Sequence, residues 1–347
     1  MIFKKFGRTP SGKRLERIKK SAHYRDGQFH NINHTPQLTE GATIPRILYG
    51  FLFGKTERKI PLGTIPTHKT DLLSIPVTED ILVWFGHSSY FFQVDGLRFL
   101  VDPVFSGNAS PLTGSNKAFP GTDIYTVDDL PAIDYLLITH DHYDHVDYKT
   151  ILSLEPKVSA VICGLGVGEH LELWGYPEKI ITEADWNETI PLRNGFSIHT
   201  TPARHFSGRG FTRNKSLWLS FLLVTPTMKI FIGGDSGYDI HFKEIGNAFG
   251  PIDLAILENG QYDPQWKYIH LAPEEVLMAA TDLNAKRVFP VHNSKFKMAN
   301  HAWDDPMRRV AEFNEAYRIP KISPRIGEKV FLKDENQEFS NWWETIE

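Results

Sequence analysis

The decisive stretch is Thr139-His140-Asp141-His142-Tyr143-Asp144-His145-Val146-Asp147. His140, His142, Asp144 and His145 fall within six positions, directly after the apolar run Ile133-Asp-Tyr-Leu-Leu-Ile. A short buried strand that ends this way carries a dense set of metal ligands to the carboxyl edge of a sheet. Nitrogen and carboxylate donors without thiolate suit zinc or another borderline first-row metal. Four ligand-type side chains packed this closely do not all suit one tetrahedral ion, so the spacing points to two. The chemistry expected is metal-assisted hydrolysis.

Other strands end in the same manner. Ser197-Ile-His-Thr-Thr-Pro-Ala-Arg-His205 closes on a histidine, Met228-Lys-Ile-Phe-Ile-Gly-Gly-Asp235 on an aspartate, and Arg287-Val-Phe-Pro-Val-His292 on a histidine. The glycines before Asp235 let the backbone turn tightly beside an ion. Singly, a strand-end histidine is an ordinary surface or hydrogen-bonded residue. Behind the His-x-His-x-Asp-His run, His205, Asp235 and His292 read as further ligands of one site.

The rest of the pattern is that of a layered α/β protein. Strands are expected at 81–85, 90–94, 97–101, 135–139, 158–162, 197–201, 217–224, 228–232, 254–257 and 287–291, with Asp95-Gly96 as a hairpin turn. Helices are expected from Pro273 and from Pro306, each with acidic residues about its start.

With 347 residues, the chain has room for one large domain or two smaller ones. An apolar fraction of 41% and a charged fraction of 23% are ordinary for a soluble globular protein. A net charge of −4 argues against a general nucleic-acid binder. The single cysteine, Cys163, excludes an intrachain disulfide and a thiolate zinc cluster, and reads as a small buried hydrophobe. No apolar run approaches the ~20 residues of a membrane span. Met1-Ile-Phe-Lys-Lys-Phe-Gly-Arg has no hydrophobic region behind its charges. A cytoplasmic enzyme is the expectation.

Residues 1–79 differ and read as an amino-terminal arm and linker ahead of a catalytic domain at 80–347. Lys4, Lys5, Arg8, Lys13, Arg14, Arg17, Lys19, Lys20 and Arg25 face only Glu16 and Asp26 among the first thirty positions. The apolar, aromatic stretch 44–55 follows, with basic residues at both ends. One reading is an interfacial segment that dips into a bilayer while its cations meet anionic head groups, placing the enzyme peripherally at a membrane. The other is an arm that wraps the catalytic domain and buries Phe51 and Phe53 against it. The proline- and threonine-rich 61–79 reads as the linker.

These residues resemble the metallo-β-lactamase-fold hydrolases, whose His-x-His-x-Asp-His signature is whole here. Within them the chain looks closest to the N-acyl-phosphatidylethanolamine-hydrolysing phospholipase D group and its bacterial relatives. The resemblance spans residues 80–320 and rests on Trp84-Phe-Gly-His-Ser-Ser, Val101-Asp-Pro-Val-Phe, the signature itself and Gly233-Gly-Asp-Ser-Gly-Tyr. It continues through Phe249-Gly-Pro-Ile-Asp-Leu, His270-Leu-Ala-Pro-Glu-Glu and Val291-His292.

The resemblance implies an αββα sandwich holding two Zn2+ ions per chain, or other first-row divalent metals. His140, His142 and His205 would hold one ion, Asp144, His145 and His292 the other, and Asp235 would bridge them. Asp144 would also orient a metal-bridging hydroxide. His270 would contact the phosphate or protonate the leaving oxygen; a helix-capping histidine is its plainer reading. The implied reaction is phospholipase D-type hydrolysis of a phospholipid, N-acyl-phosphatidylethanolamine, to N-acylethanolamine and phosphatidic acid. A homodimer is implied by resemblance alone.

His87, Asp102 and Asp147 read as residues that brace the ligands by hydrogen bonds. Arg204 and Arg209 read as phosphate contacts or as solvated arginines, and Gly164-Leu-Gly-Val-Gly as a strand-to-helix turn rather than a nucleotide loop. His292-Asn-Ser, where the animal lipid enzymes follow the histidine with tryptophan and glycine, and the small Phe206-Ser-Gly-Arg-Gly depart from the family beside the metal site. A soluble dinuclear hydrolase of the same fold, acting on a lactone or a (cyclic) sugar phosphate, is the second reading. A non-catalytic protein that keeps its metal is the third, and the complete ligand set counts against it.

Overall fold

The computed structural model describes residues 2–54, 56–112, 114–210 and 212–346, without the side chains of residues 2, 3, 51 and 52. In chain order its elements begin with α1 (Gly12–Ile18), the hairpin β1 (Tyr24–Arg25) and β2 (Gln28–Phe29), and α2 (Ile44–Phe53). Next come β3 (Ile81–Trp84), β4 (Tyr90–Val94), β5 (Leu97–Val101), β6 (Ile133–Ile138), α3 (Tyr148–Leu154), β7 (Val158–Gly164), α4 (Gly168–Leu173) and β8 (Ile181–Ala184). The second half holds β9 (Thr189–Pro191), β10 (Ser197–Thr201), β11 (Ser220–Val224), β12 (Lys229–Ile232), α5 (His241–Phe249), β13 (Leu254–Glu258), α6 (Pro273–Asp282), β14 (Val288–Val291), α7 (Asp305–Tyr317) and β15 (Lys329–Phe331).

Strand runs that are apolar at successive positions must be covered on both faces, and the two sheets provide that cover. One runs β15-β3-β4-β5-β6-β7-β8 and the other β14-β13-β12-β11-β10-β9. Leu82, Trp84, Phe92, Phe99 and Val101 meet Phe221, Leu223, Ile230, Ile232, Ile256 and Phe289 in one layer between the sheets. Their neighbours Val83, Phe91, Leu100, Leu136 and Ile138 turn outward onto Ile151 and Leu154 of α3 and Leu171 of α4. On the other side Leu222, Phe231, Ala255, Leu257 and Val288 pack on Val276, Leu277 and Ala280 of α6 and Val310 of α7. The result is the expected αββα sandwich.

Within each sheet, one half is parallel: β5 to β8, and β12 to β14. Parallel strands end together, so β5, β6, β12, β13 and β14 deliver Asp102, His140, Asp235, Glu258 and His292 to one edge. The expected strand 217–224 is shorter than its sequence suggests. Leu217 N–H donates to Leu165 and Leu219 N–H to Thr139, which ties this piece to the opposite sheet before β11 begins.

Residues before 80 enter the same core. Ile18, Phe29 and Ile65 are buried among the inter-sheet side chains, and Arg14 is clamped by Glu169, Glu172 and Glu183. Phe53, expected to bury if the arm wraps the domain, is instead 66% exposed. It lies round α2 from Ile44 and Ile47, which line a cavity although Ile44 is itself 66% exposed. The Phe51 side chain and Lys55 lie outside the described residues. Among the described residues no helix is long and apolar enough to cross a membrane.

Candidate metal centre

His140, His142, Asp144, His145, His205, Asp235 and His292 all arrive at the carboxyl edge of the sandwich. Donor atoms of His140, His142 and His205 lie close enough together to hold a metal ion, as do those of His87, Asp144, His145 and His292. Asp235 sits between the two groups. Its Oδ2 is 3.2 Å from His145 Nε2, 3.7 Å from His205 Nε2 and 3.8 Å from His140 Nε2, while Oδ1 is 3.2 Å from His292 Nδ1. His142 Nδ1 lies 2.9 Å from His140 Nε2 and 3.3 Å from His205 Nε2. Bonds of about 2.0–2.1 Å in a tetrahedral shell put donor atoms ~3.3 Å apart, so these spacings fit a cation better than they fit bare imidazoles facing one another.

Outer hydrogen bonds aim the donors. His145 Nδ1 donates to Asp102 at 2.8 Å, and Asp102 also accepts from the Thr139 hydroxyl and N–H at 2.6 and 2.9 Å. His205 Nδ1 donates to the Ile269 carbonyl at 2.8 Å. Ser88 Oγ holds His292 Nδ1 at 2.8 Å, and His87 Nε2 holds Asp144 Oδ2 at 2.8 Å. Each such bond fixes a ring and leaves another atom for the centre. His142 Nε2, His145 Nε2, His292 Nε2 and Asp235 Oδ1 are buried and have no hydrogen-bond partner among the described residues. That is costly for a polar atom unless something binds it.

Local backbone geometry is shaped by the same demand. His87, Asp102 and His292 adopt φ of 54°, 40° and 66°. This left-handed region is one that side-chain-bearing residues enter at a cost of about 1–3 kcal/mol. Gly234, at φ 60°, brings the Asp235 turn so close to Thr139 that a Cβ would sit 2.8 Å from that side chain.

Burial holds His140, His205 and His292 well below the usual imidazole range and His142 down to about 4. These rings are therefore neutral at neutral pH, the form that donates a lone pair to a metal. Burial also opposes charge on His145, but Asp235, Asp144 and Asp102 outweigh it and raise its proton affinity. Burial likewise opposes ionisation of Asp144, yet His145 and His87 hold its carboxyl low.

A cavity of about 320 Å³ opens over the centre. Its wall is largely apolar: Leu38, Ile44 and Ile47 from the arm, and Phe206, Trp266 and Met298 from the domain. His270 lines it as well, with Nδ1 donating to Glu258 Oε2 at 2.7 Å. Glu258 Oε1 accepts from the N–H of Ser236, next to Asp235, at 2.7 Å. His270 does not cap α6, whose first turn is closed by Glu275 accepting from Ala272 N–H at 2.9 Å.

Three sequence expectations need correction. Asp147 braces no ligand: it caps α3, accepting from Ser106 N–H, Lys149 N–H and the Thr150 hydroxyl. Arg209 is neither solvated nor turned to the cavity. It is buried against Tyr143 and Trp174, and its guanidinium donates to the carbonyls of Asp141, Val146 and Lys5. Arg204 is likewise occupied, by Thr35 and the Tyr238 carbonyl.

Gly164 ends β7 at a strand-to-helix turn, where a Cβ would strike the Leu217 carbonyl at 2.1 Å. Two residues escaped the sequence reading. Glu258 follows the apolar run Leu254–Leu257, the same signal that marked the strand-end candidate ligands. Asn31, which bonds the backbone of His205, carried no signal at all.

Known proteins are similar to this chain. A family profile described as the Beta-lactamase superfamily domain matches residues 97–293. An uncharacterized protein of Mycobacterium tuberculosis is 35% identical over 316 residues, 89% of this chain and 84% of that one. N-acyl-phosphatidylethanolamine-hydrolyzing phospholipase D 1 of Caenorhabditis elegans is 27% identical over 281 residues, 75% of this chain and 77% of that one. Among solved structures, Igni18, a metallo hydrolase from Ignicoccus hospitalis, matches with a TM-score of 0.56 and 21% identity, over 73% of this chain and 98% of that chain. At that identity the likeness is one of fold.

Proposed function

This chain belongs to the beta-lactamase superfamily and has the fold of its metal-dependent hydrolases, and from that premise we propose that it is a zinc-dependent phosphodiesterase of phospholipase D type. Its substrate in this reading is N-acyl-phosphatidylethanolamine, cleaved to N-acylethanolamine and phosphatidic acid. The observation that carries the proposal is the place of Asp235 between the two histidine groups. His140, His142 and His205 would hold one Zn2+, Asp144, His145 and His292 the second, with Asp235 shared. Bound there, the ions supply an acidified water and counter-charge for the phosphate oxygens.

The chain's own residues do the rest. His87 holds Asp144 by Oδ2, which leaves the other carboxylate oxygen to the cavity. Glu258 holds His270 by Nδ1, so Nε2 can keep a proton for the leaving oxygen. The lipid half of the reading is supported by the apolar cavity wall, by the name of the C. elegans relative, and by α2. That helix lines the cavity with Ile44 and Ile47, and Ile44, Leu48, Tyr49 and Phe53 all stand exposed. Peripheral membrane contact through 44–55 is part of the proposal.

The test is to purify the protein without added metal, count zinc per chain, and assay N-acyl-phosphatidylethanolamine in mixed micelles beside a soluble bis-aryl phosphodiester. Two zinc ions, with lipid cleavage that is lost in Asp235→Asn, are expected. Turnover of the soluble ester alone would move the substrate to a lactone or sugar phosphate. Less than one metal per chain would sink the mechanism.

A further inference from the structure

With Arg204 and Arg209 committed to backbone and hydroxyl partners, one arginine near His205 remains. Arg213 lines the metal cavity. Its guanidinium lies over the Phe206 ring at 5.0 Å, and that ring packs on His142 at 4.5 Å and His205 at 4.8 Å. Among the described residues it has no carboxylate or hydrogen-bond partner, and it is the one lysine or arginine lining the cavity. The carboxylates there, Asp144 and Asp235, belong to the ligand group. A guanidinium stacked on an aromatic face keeps its N–H fork free at the edge, in the geometry that matches a phosphate or carboxylate. An uncharged ester offers that fork little, whereas an anionic oxygen makes a charge-assisted hydrogen bond.

We propose that Arg213 is a specificity-determining residue that takes an anionic oxygen of the substrate, selecting phosphate esters over neutral esters at the metal centre. The proposal rests on the hydrolase reading above and deepens it. A phospholipid and a soluble phosphate diester share the required chemistry.

The experiment compares wild type, Arg213→Gln and Arg213→Lys, all zinc-loaded. The probes are bis(4-nitrophenyl) phosphate, the uncharged 4-nitrophenyl butyrate, and N-acyl-phosphatidylethanolamine micelles. Arg213→Gln should raise KM for the anionic ester about tenfold with kcat little changed, and leave the neutral ester as it was. Arg213→Lys should recover part of the loss, which a merely structural role would not require. A matching rise on the micelles assigns the lipid phosphate as the source, and a rise on the soluble diester alone assigns a soluble one.

Equal changes for both charge classes, or none, would overturn the proposal. If wild type turns over no ester, the hydrolase reading has failed separately. Calorimetry with inorganic phosphate then decides: weaker binding by Arg213→Gln supports the assignment, and equal binding refutes it.

Discussion

Asn31 closes both ends of its side-chain amide on the backbone of His205. Nδ2 donates to the His205 carbonyl at 2.8 Å, and Oδ1 accepts from the His205 N–H at 3.1 Å. The same Oδ1 accepts from Trp218 Nε1 at 3.0 Å. A residue of the arm thus holds the peptide on either side of a ligand-type histidine. Asn31→Ala should cost about 1–2 kcal/mol of stability and weaken metal binding roughly tenfold. Urea unfolding and chelator competition measure the two. Unchanged metal affinity would show that His205 is placed without the arm.

Asp102 is the corresponding brace on the other group. Its Oδ2 receives both Thr139 Oγ1 and His145 Nδ1, so the carboxylate fixes the tautomer that leaves His145 Nε2 to the centre. Asp102→Asn keeps the shape but sets an amide N–H against one of those donors. Metal affinity should fall by about 10–100-fold. A dissociation constant within twofold of wild type would mean the brace is dispensable.

How far these relationships were legible depends on distance along the chain. The candidate ligands could be read because they end or closely follow apolar runs, and strands covered on both faces announce themselves as such runs. The short edge strands were missed. β8 is Ile-Thr-Glu-Ala, β9 Thr-Ile-Pro and β15 Lys-Val-Phe, too brief to show a period. α5 opens on His241 and contains Gly246 and Asn247, poor helix formers kept helical by packing Phe242 and Ile245 on the sheet. Asp147 looked like a brace because it adjoins the signature, yet a helix begins there and its N-cap needs an acceptor. Asn31 lies 174 residues from its partner, and no local pattern encodes such a bond.

Lys295 is buried, donating to the carbonyls of Phe85 and Val104 at 3.1 and 3.0 Å, with Asp123 at 3.7 Å. Burial pushes its ammonium down to about 8, and does the same to Lys321. Unfolded, both titrate near 10.4. Above about pH 8 these two lysines therefore bind more protons in the unfolded chain than in the folded one, and their contribution to stability rises with pH. Below that both lysines are charged in either state and their contribution is flat. The Cys163 thiol, pushed up by burial, and His145 and His270, whose protons neighbouring carboxylates hold, act in the opposite sense. The lysine contribution is therefore read as a difference between wild type and variant at pH 8 to 9. Lys295→Met should make the slope measured by urea unfolding there less positive than that of wild type. A variant slope equal to that of wild type would falsify the burial argument.

The outer face of α2 offers the most direct test of where the enzyme works. Tyr49 is 65% exposed and Phe53 66%, on the side of α2 away from Ile44 and Ile47, which line the cavity. Leaving such bulk in water forgoes about 1.5–3 kcal/mol per side chain that burial elsewhere would recover, and a bilayer surface is one place to recover it. Tyr49→Asp with Phe53→Asp removes that gain on the face turned away from Ile44 and Ile47. Vesicle sedimentation and micelle turnover should fall tenfold or more (about 1.4 kcal/mol or above), while the soluble diester is cleaved as before. Loss of both activities together would instead make α2 a wall of the active site alone. Retention of both would remove the membrane from the proposal while leaving the metal chemistry standing.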